Sequence, residues 1–311
     1  MDNRITKKRL NDMLSYEWIL IVAISVAIVI VWELIFSVLS VKLTVGQQFK
    51  CLYDYEVDYA GSEKLSKDLF EQDVLSPFVI ESGREHLVND DELINARLGT
   101  QDVDILFTSS AETDGYRRVN SYIDDFMYPV YSYEELLKDA KDYLKSFLEY
   151  DDLDATDFEN LSEKKIEENF LIQYKKDNSY RTESQKQEGI KLEKERIKNL
   201  CKEVRDFETA LEIGRERGIF YIYTRYEQLN RLEGGYDEFV EIEAKDQAFG
   251  LDMGKLSGGE VLPHSYAKLS GQTDATDTVL IVFNFKSYQP DLQYESISVI
   301  NMIIRNCTDI L

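Results

Sequence analysis

Residues 18–39 read WILIVAISVAIVIVWELIFSVL, and this stretch constrains the chain more than any other. From Trp18 to Trp32 nothing is charged and Ser25 is the most polar residue; Glu33 interrupts, and apolar residues then resume until Lys42. At about 1.5 Å per helical residue, Trp18 to Leu39 covers roughly 33 Å, which matches a bilayer core of about 30 Å. An indole prefers the headgroup level, so Trp18 and Trp32 mark two interfaces and Glu33 falls near the outer one. There Glu33 either reaches headgroup water or contacts the helix of a partner membrane protein. A buried core helix would seldom be apolar on every face for this length. A cleaved signal peptide competes more strongly, because Val38 and Ser40 offer small residues before a cut, although the run exceeds an ordinary signal core. No lipobox cysteine follows, since Cys51 is preceded by Gln-Gln-Phe-Lys. The expectation is one transmembrane helix over 18–39.

The flanks set its orientation. Arg4, Lys7, Lys8 and Arg9 precede the helix, while only Lys42 and Lys50 follow closely, so residues 1–17 form a cytoplasmic tail and the bulk of the chain lies outside the cell. Of 36 basic and 59 acidic residues, residues 1–42 hold five and four, which leaves 31 against 55 and a net charge of -24 on the remainder. A field of that sign disfavours nucleic acid and anionic headgroups; it suits cationic ligands, or simply solubility. With 43% hydrophobic residues, 20 Tyr and 15 Phe, the outer part has ample material for a core. Cys51, Cys201 and Cys307 are odd in number and far apart, which is neither a disulfide framework nor a metal knuckle, although one bridge stays open.

Period and punctuation organise the rest. Strands are predicted at 47–57, at Pro77–Glu81 and at Asp102–Thr108, with helices between them at Ser62–Gln72 (Leu65, Leu69 and Phe70 on one face) and Asp90–Leu98. Such a β-α-β-α-β progression predicts a layered α/β domain with a largely parallel sheet. Helical patterns then dominate at 133–150, 161–176 and 182–232, where Gly189, Gly214 and Gly218 each offer a break. The run TVLIVFNFKS restores a buried strand near Val279, and an amphipathic helix at 292–305 closes the chain. The domains expected are therefore an α/β lobe from 43–130 and 245–311, with 131–244 as a helical inserted lobe or arm.

This order, together with the strand Phe49–Val57, the segment GTQDVDILFTSS from Gly99 to Ser110 and the phrase FGLDMGKL from Phe249 to Leu256, resembles the type II periplasmic-binding-protein fold of extracellular solute-binding proteins. It is similar in particular to membrane-anchored relatives from Firmicutes. Gly99 followed by Asp104-Ile105-Leu106-Phe107 carries the third-strand pattern after which the chain of such proteins meets its ligand. The resemblance implies a membrane-anchored, extracytoplasmic, solute-binding-like module that presents a cleft to a transporter or sensor. It transfers no individual ligand residue, and the charged, helical middle departs from the family's second lobe.

Catalytic signatures are missing from the sequence. His86 and His264 sit in no zinc motif, and no P-loop, nucleophile elbow or dinucleotide fingerprint occurs. Asp152, Asp154, Thr156, Asn160 and Glu163 keep calcium-loop spacing, but Asp157 stands where the loop needs glycine. No enzyme, cofactor or metal is expected. In an α/β sheet, ligands meet the carboxyl ends of strands, so the candidate ligand residues are Tyr53, Asp54 and Tyr55 near the first strand's end, Ser82 and Gly83 after the second, and Thr108, Ser109 and Ser110 after the third. The competing reading of the tyrosines is as half-buried strand residues. At the level of function, the alternative is an accessory subunit of a membrane complex that binds no small molecule.

Overall fold

A computed structural model of the chain describes residues 7, 18–39, 47–55, 59–86, 91–100, 103–113, 115–124, 130–149, 158, 160–175, 177–225, 246–267, 274–284 and 294–311. Two compact units divide it: residues 1–42 with 177–179, and residues 43–176 with 180–311.

The first unit contains α1, Trp18–Leu39, a helix of 22 residues whose single charge is Glu33. Its described side chains, at 18–20 and 22–34, are all exposed, Trp18 at 53% and Trp32 at 66% among them. Among the described residues no helix is long and apolar enough to cross a membrane.

The second unit is a mixed α/β domain. Its elements run β1 (Gln48–Tyr53), α2 (Tyr59–Glu71), β2 (Ile80–His86), α3 (Asp91–Gly99), β3 (Ile105–Ser109), the short pair β4 (Glu112–Thr113) and β5 (Tyr116–Arg117), and α4 (Arg118–Asp124). They continue with α5 (Tyr133–Lys145), α6 (Glu163–Gln173), α7 (Glu183–Arg217), β6 (Phe220–Tyr223), β7 (Gln247–Asp252), α8 (His264–Ala267), β8 (Thr278–Val282) and α9 (Glu295–Cys307). Six strands form one sheet in the order β2-β1-β3-β8-β7-β6. β1 pairs parallel with β2 and with β3, whereas β8, β7 and β6 add on antiparallel. The sheet is thus mixed and not largely parallel: the three strands linked by α2 and α3 are parallel, and β8, β7 and β6 alternate in direction beside them.

Strand alternation sorts the core. In β1, Phe49, Cys51 and Tyr53 face one side and Leu52 the other; in β3, Ile105 and Phe107 oppose Leu106; in β8, Leu280 and Val282 oppose Val279 and Ile281. The first side is covered by α2, α5, α6, α7 and α9, and the second by α3 and α4. The crossover helices α2 and α3 therefore lie on opposite faces. In α2, Leu65 and Leu69 are buried, but Phe70 is 87% exposed, because one residue further turns it about 100° around the helix.

Predicted boundaries moved where polarity misled. β2 begins at Ile80, not Pro77, and runs through Glu-Ser-Gly-Arg-Glu-His, since an edge strand needs no apolar alternation. The expected helix at 182–232 ends at Arg217, where Gly218 takes a left-handed conformation (φ 70°) and β6 follows. Neither β6 nor β7 was predicted. Residues 226–245, residues 152, 154 and 156 of the calcium-like spacing, and residues 56–58 lie outside the described residues. All three cysteines are buried, and burial pushes the Cys201 and Cys307 thiols up to about 12.

Candidate functional site

The parallel trio β2-β1-β3 contains a topological switch point. The chain leaves β1 through α2 to one side and reaches β3 through α3 on the other, so connections diverge between the carboxyl ends of β1 and β3. In open α/β sheets this is where loops part and ligands bind.

Asp54 is the residue that follows β1, and its backbone N–H donates to the Phe107 carbonyl at 3.2 Å, extending the β1–β3 ladder to its end. Its side chain is fully buried. Oδ2 accepts from the Thr108 hydroxyl at 2.6 Å and from Arg118 Nε at 2.9 Å. Oδ1 is buried and, among the described residues, has no hydrogen-bond partner. The Tyr122 hydroxyl is near enough to bear on the carboxyl's ionisation. Burial raises the Asp54 carboxyl above its ordinary range, while Thr108 and the Arg118 charge pull it back in part. Burial also pushes the Tyr122 phenol up, and the Asp54 charge adds to that.

Arg118 is the first residue of α4, and α4 is tied to the sheet's far edge. Tyr221 donates to Asn120 Oδ1 at 2.6 Å, Tyr223 donates to Asp124 Oδ2 at 2.6 Å, and Arg225 Nε donates to the Ile123 carbonyl at 3.0 Å while its guanidinium lies 4.6 Å from the Phe249 ring. These ties hold the helix that aims Arg118 at Asp54. Neither Arg118 nor Tyr122 was selected from the sequence. The only hint was a basic pair, Arg117-Arg118, just beyond the third strand's turn.

The other expected residues divide into two groups. Thr108 is buried and part of the cluster, and Ser109 and Ser110 stand beside it at the end of β3. Ser109 Oγ accepts from the Ala111 N–H at 3.1 Å at the turn that leaves β3, and the Ser110 N–H donates to the Asp277 carbonyl at 2.8 Å, extending the β3–β8 pairing. Tyr53 and Tyr55, by contrast, are core residues. Tyr53 stacks on Phe107 with ring centroids 4.8 Å apart, and the two hydroxyls donate to the carbonyls of Tyr266 (3.4 Å) and Ala267 (3.0 Å). Ser82 and Gly83 lie inside β2, where the register shifts so that Gly83 faces Lys50, near the start of β1; the residue level with Tyr53 is His86. The structure does not bring them to the cluster. Glu33 is exposed on α1.

The arrangement can bind a donor group. A buried carboxylate with one oxygen committed and one unpaired has capacity to accept an N–H or O–H, and Arg118 keeps that carboxylate from carrying a bare buried charge. Among the described residues no cluster of histidine, cysteine and carboxylate side chains could hold a metal ion. In comparison with known proteins, the chain matches no family model, no curated protein and no solved structure.

Proposed function

We propose that this chain is a membrane-anchored, extracytoplasmic, non-catalytic binding domain of the solute-binding type, which receives a small polar ligand at the carboxyl ends of β1 and β3. One observation carries the reading: a buried aspartate with an open oxygen, Asp54, lies at the switch point of the parallel strands, braced by Thr108 and Arg118. An N–H or O–H of the ligand completes Oδ1, since an unmet buried acceptor costs about 1–3 kcal/mol. Anchoring by α1 rests on its sequence and on the exposure of its apolar side chains, which an aqueous surface would not tolerate.

The accessory-subunit reading is supported by a different observation. Tyr53 and Tyr55 are spent on the core, and Arg118 already answers Asp54, so the site can persist as a structural ion pair while α1 and Glu33 contact a partner. A thermal-shift screen of the full chain in detergent micelles, with amino acids, peptides, sugars and polyamines, separates the two. On the proposed function at least one compound raises the melting temperature of the wild type by an amount equivalent to about 2.7 kcal/mol at a hundredfold excess over Kd. Asp54→Asn removes that response. A wild type indifferent to every compound, which instead retains a membrane protein on purification, supports the accessory reading.

A further inference from the structure

Away from the switch point, a pocket of about 340 Å³ opens between the turn 72–77 after α2, residues 195–203 of α7 and residues 295–305 of α9. Its size is at the lower end for small-molecule sites. Its lining is polar, and the charged groups in it are unequally satisfied.

Arg196 is buried at 3% side-chain exposure and is engaged by Glu193 through two bonds of 2.8 Å, from Nε and Nη2, and by the Tyr143 hydroxyl at 2.7 Å. Arg305 is held by Glu203 at 2.8 Å and Asp206 at 2.5 Å. Glu295, the first residue of α9, has no such partner. It is 8% exposed and lines the pocket; Oε2 accepts from the Ser76 N–H at 3.0 Å, and the Ser76 side chain bears on the same carboxyl. Arg196 reaches it only as a charge at a distance, and Glu193 opposes that charge. Ser298, one turn along α9 and also nearly buried, presents a second oxygen to the same space. Two buried carboxylates thus share one guanidinium, and the carboxylate facing the pocket is the one left over.

We propose that this pocket binds the ammonium group of a small aliphatic amine, with Glu295 as its counter-charge and the Ser298 hydroxyl as a second acceptor. An ammonium supplies the missing positive charge and three donors at once. An anion would face Glu295 directly, while Arg196 and Arg305 are occupied by other carboxylates and Lys202, the remaining cation of the lining, is exposed to solvent. This site is independent of the one at Asp54.

The test uses three five-carbon probes matched in shape: 1,5-diaminopentane, pentane-1,5-diol and glutarate. Each is titrated calorimetrically into the full chain in detergent micelles. The diamine binds saturably at one site, and the diol and glutarate do not. Glu295→Gln, which keeps an acceptor for Ser76, weakens the diamine by about tenfold or more. Ser298→Leu fills the pocket and abolishes binding, which carries the test if the first variant fails to fold. Glu168→Gln removes a charge from the exposed face of α6 and leaves binding unchanged. The proposal is overturned if all three probes bind alike, if glutarate is preferred, or if Glu168→Gln weakens the diamine as much as Glu295→Gln does.

Discussion

Asp54 and Glu295 are both carboxylates that burial raises above their ordinary values of 3.8 and 4.5. The sign of the resulting pH dependence follows from linkage. A carboxyl whose folded value is raised holds its proton more tightly in the folded chain, so its contribution is complete below the unfolded value and is lost as pH rises through the folded one. For Glu295, Arg196 and Ser76 moderate the rise and Glu193 adds to it, but burial dominates. Melting of the wild type and Glu295→Gln from pH 4 to 7.5 checks this: the wild type loses stability relative to the variant as pH climbs above 4.5. A gap that moves the other way means the carboxylate is better paired than its surroundings indicate. At this scale the sequence is informative about local placement and silent about distant partners. Asp54 and Thr108 were legible as strand ends because alternation and turn residues are local signals. Arg118 was not, because it comes to Asp54 only once α4 is fixed by Tyr221, Tyr223 and Arg225. Glu295 was read simply as part of an amphipathic helix.

Among the elements, α7 shows most clearly how local chemistry and packing divide the work. Thr182 and Gln185 form a reciprocal capping box at its start, and Gly218 closes it in a left-handed turn. Over 35 residues its sequence is too polar to hold a helix by propensity alone, and a buried stripe including Ile197, Val204, Phe207 and Leu211 supplies the rest. Phe207 is fully buried, with Tyr133 at 5.5 Å between ring centroids. Phe207→Ala should therefore cost about 3–5 kcal/mol in denaturant unfolding, whereas a loss under about 1 kcal/mol would show that α7 docks loosely. Three glycines offered themselves as helix breaks, and only Gly218 is one. Gly189 lies against Phe170 and Tyr180, and Gly214 against Ile219 and Phe220, so close that a Cβ at either would collide with the ring. Composition cannot tell a glycine that ends a helix from one that admits a neighbour. The same limit hid β6: Phe-Tyr-Ile-Tyr is too short to show its period beside a long helical pattern. β2 was half-missed for the opposite reason, as an edge strand whose polar residues imitate a turn.

For the whole molecule, the α/β class was legible and sheet direction was not. Three strands separated by two short helical segments force a parallel trio, but the direction of strands that return after more than a hundred residues is set by the packing of α5, α6, α7 and α9. The acidic surface, the switch-point aspartate and the amine-shaped pocket all suit a domain that samples small polar solutes outside the cell, and α1 is what would keep it there. Anchored placement with the domain outside is the account's central claim. The native thiols are buried, so they serve as a quiet background for introduced ones. Single cysteines at Asn3→Cys, in the expected cytoplasmic tail, and at Glu168→Cys, on the exposed face of α6, should be probed in intact cells with a membrane-impermeant maleimide. The account predicts labelling of Glu168→Cys in intact cells and of Asn3→Cys only after lysis, on a protein that stays with the membrane through alkaline extraction. Labelling of Asn3→Cys in intact cells, a Glu168→Cys that labels only after lysis, or a chain released by alkali contradicts it.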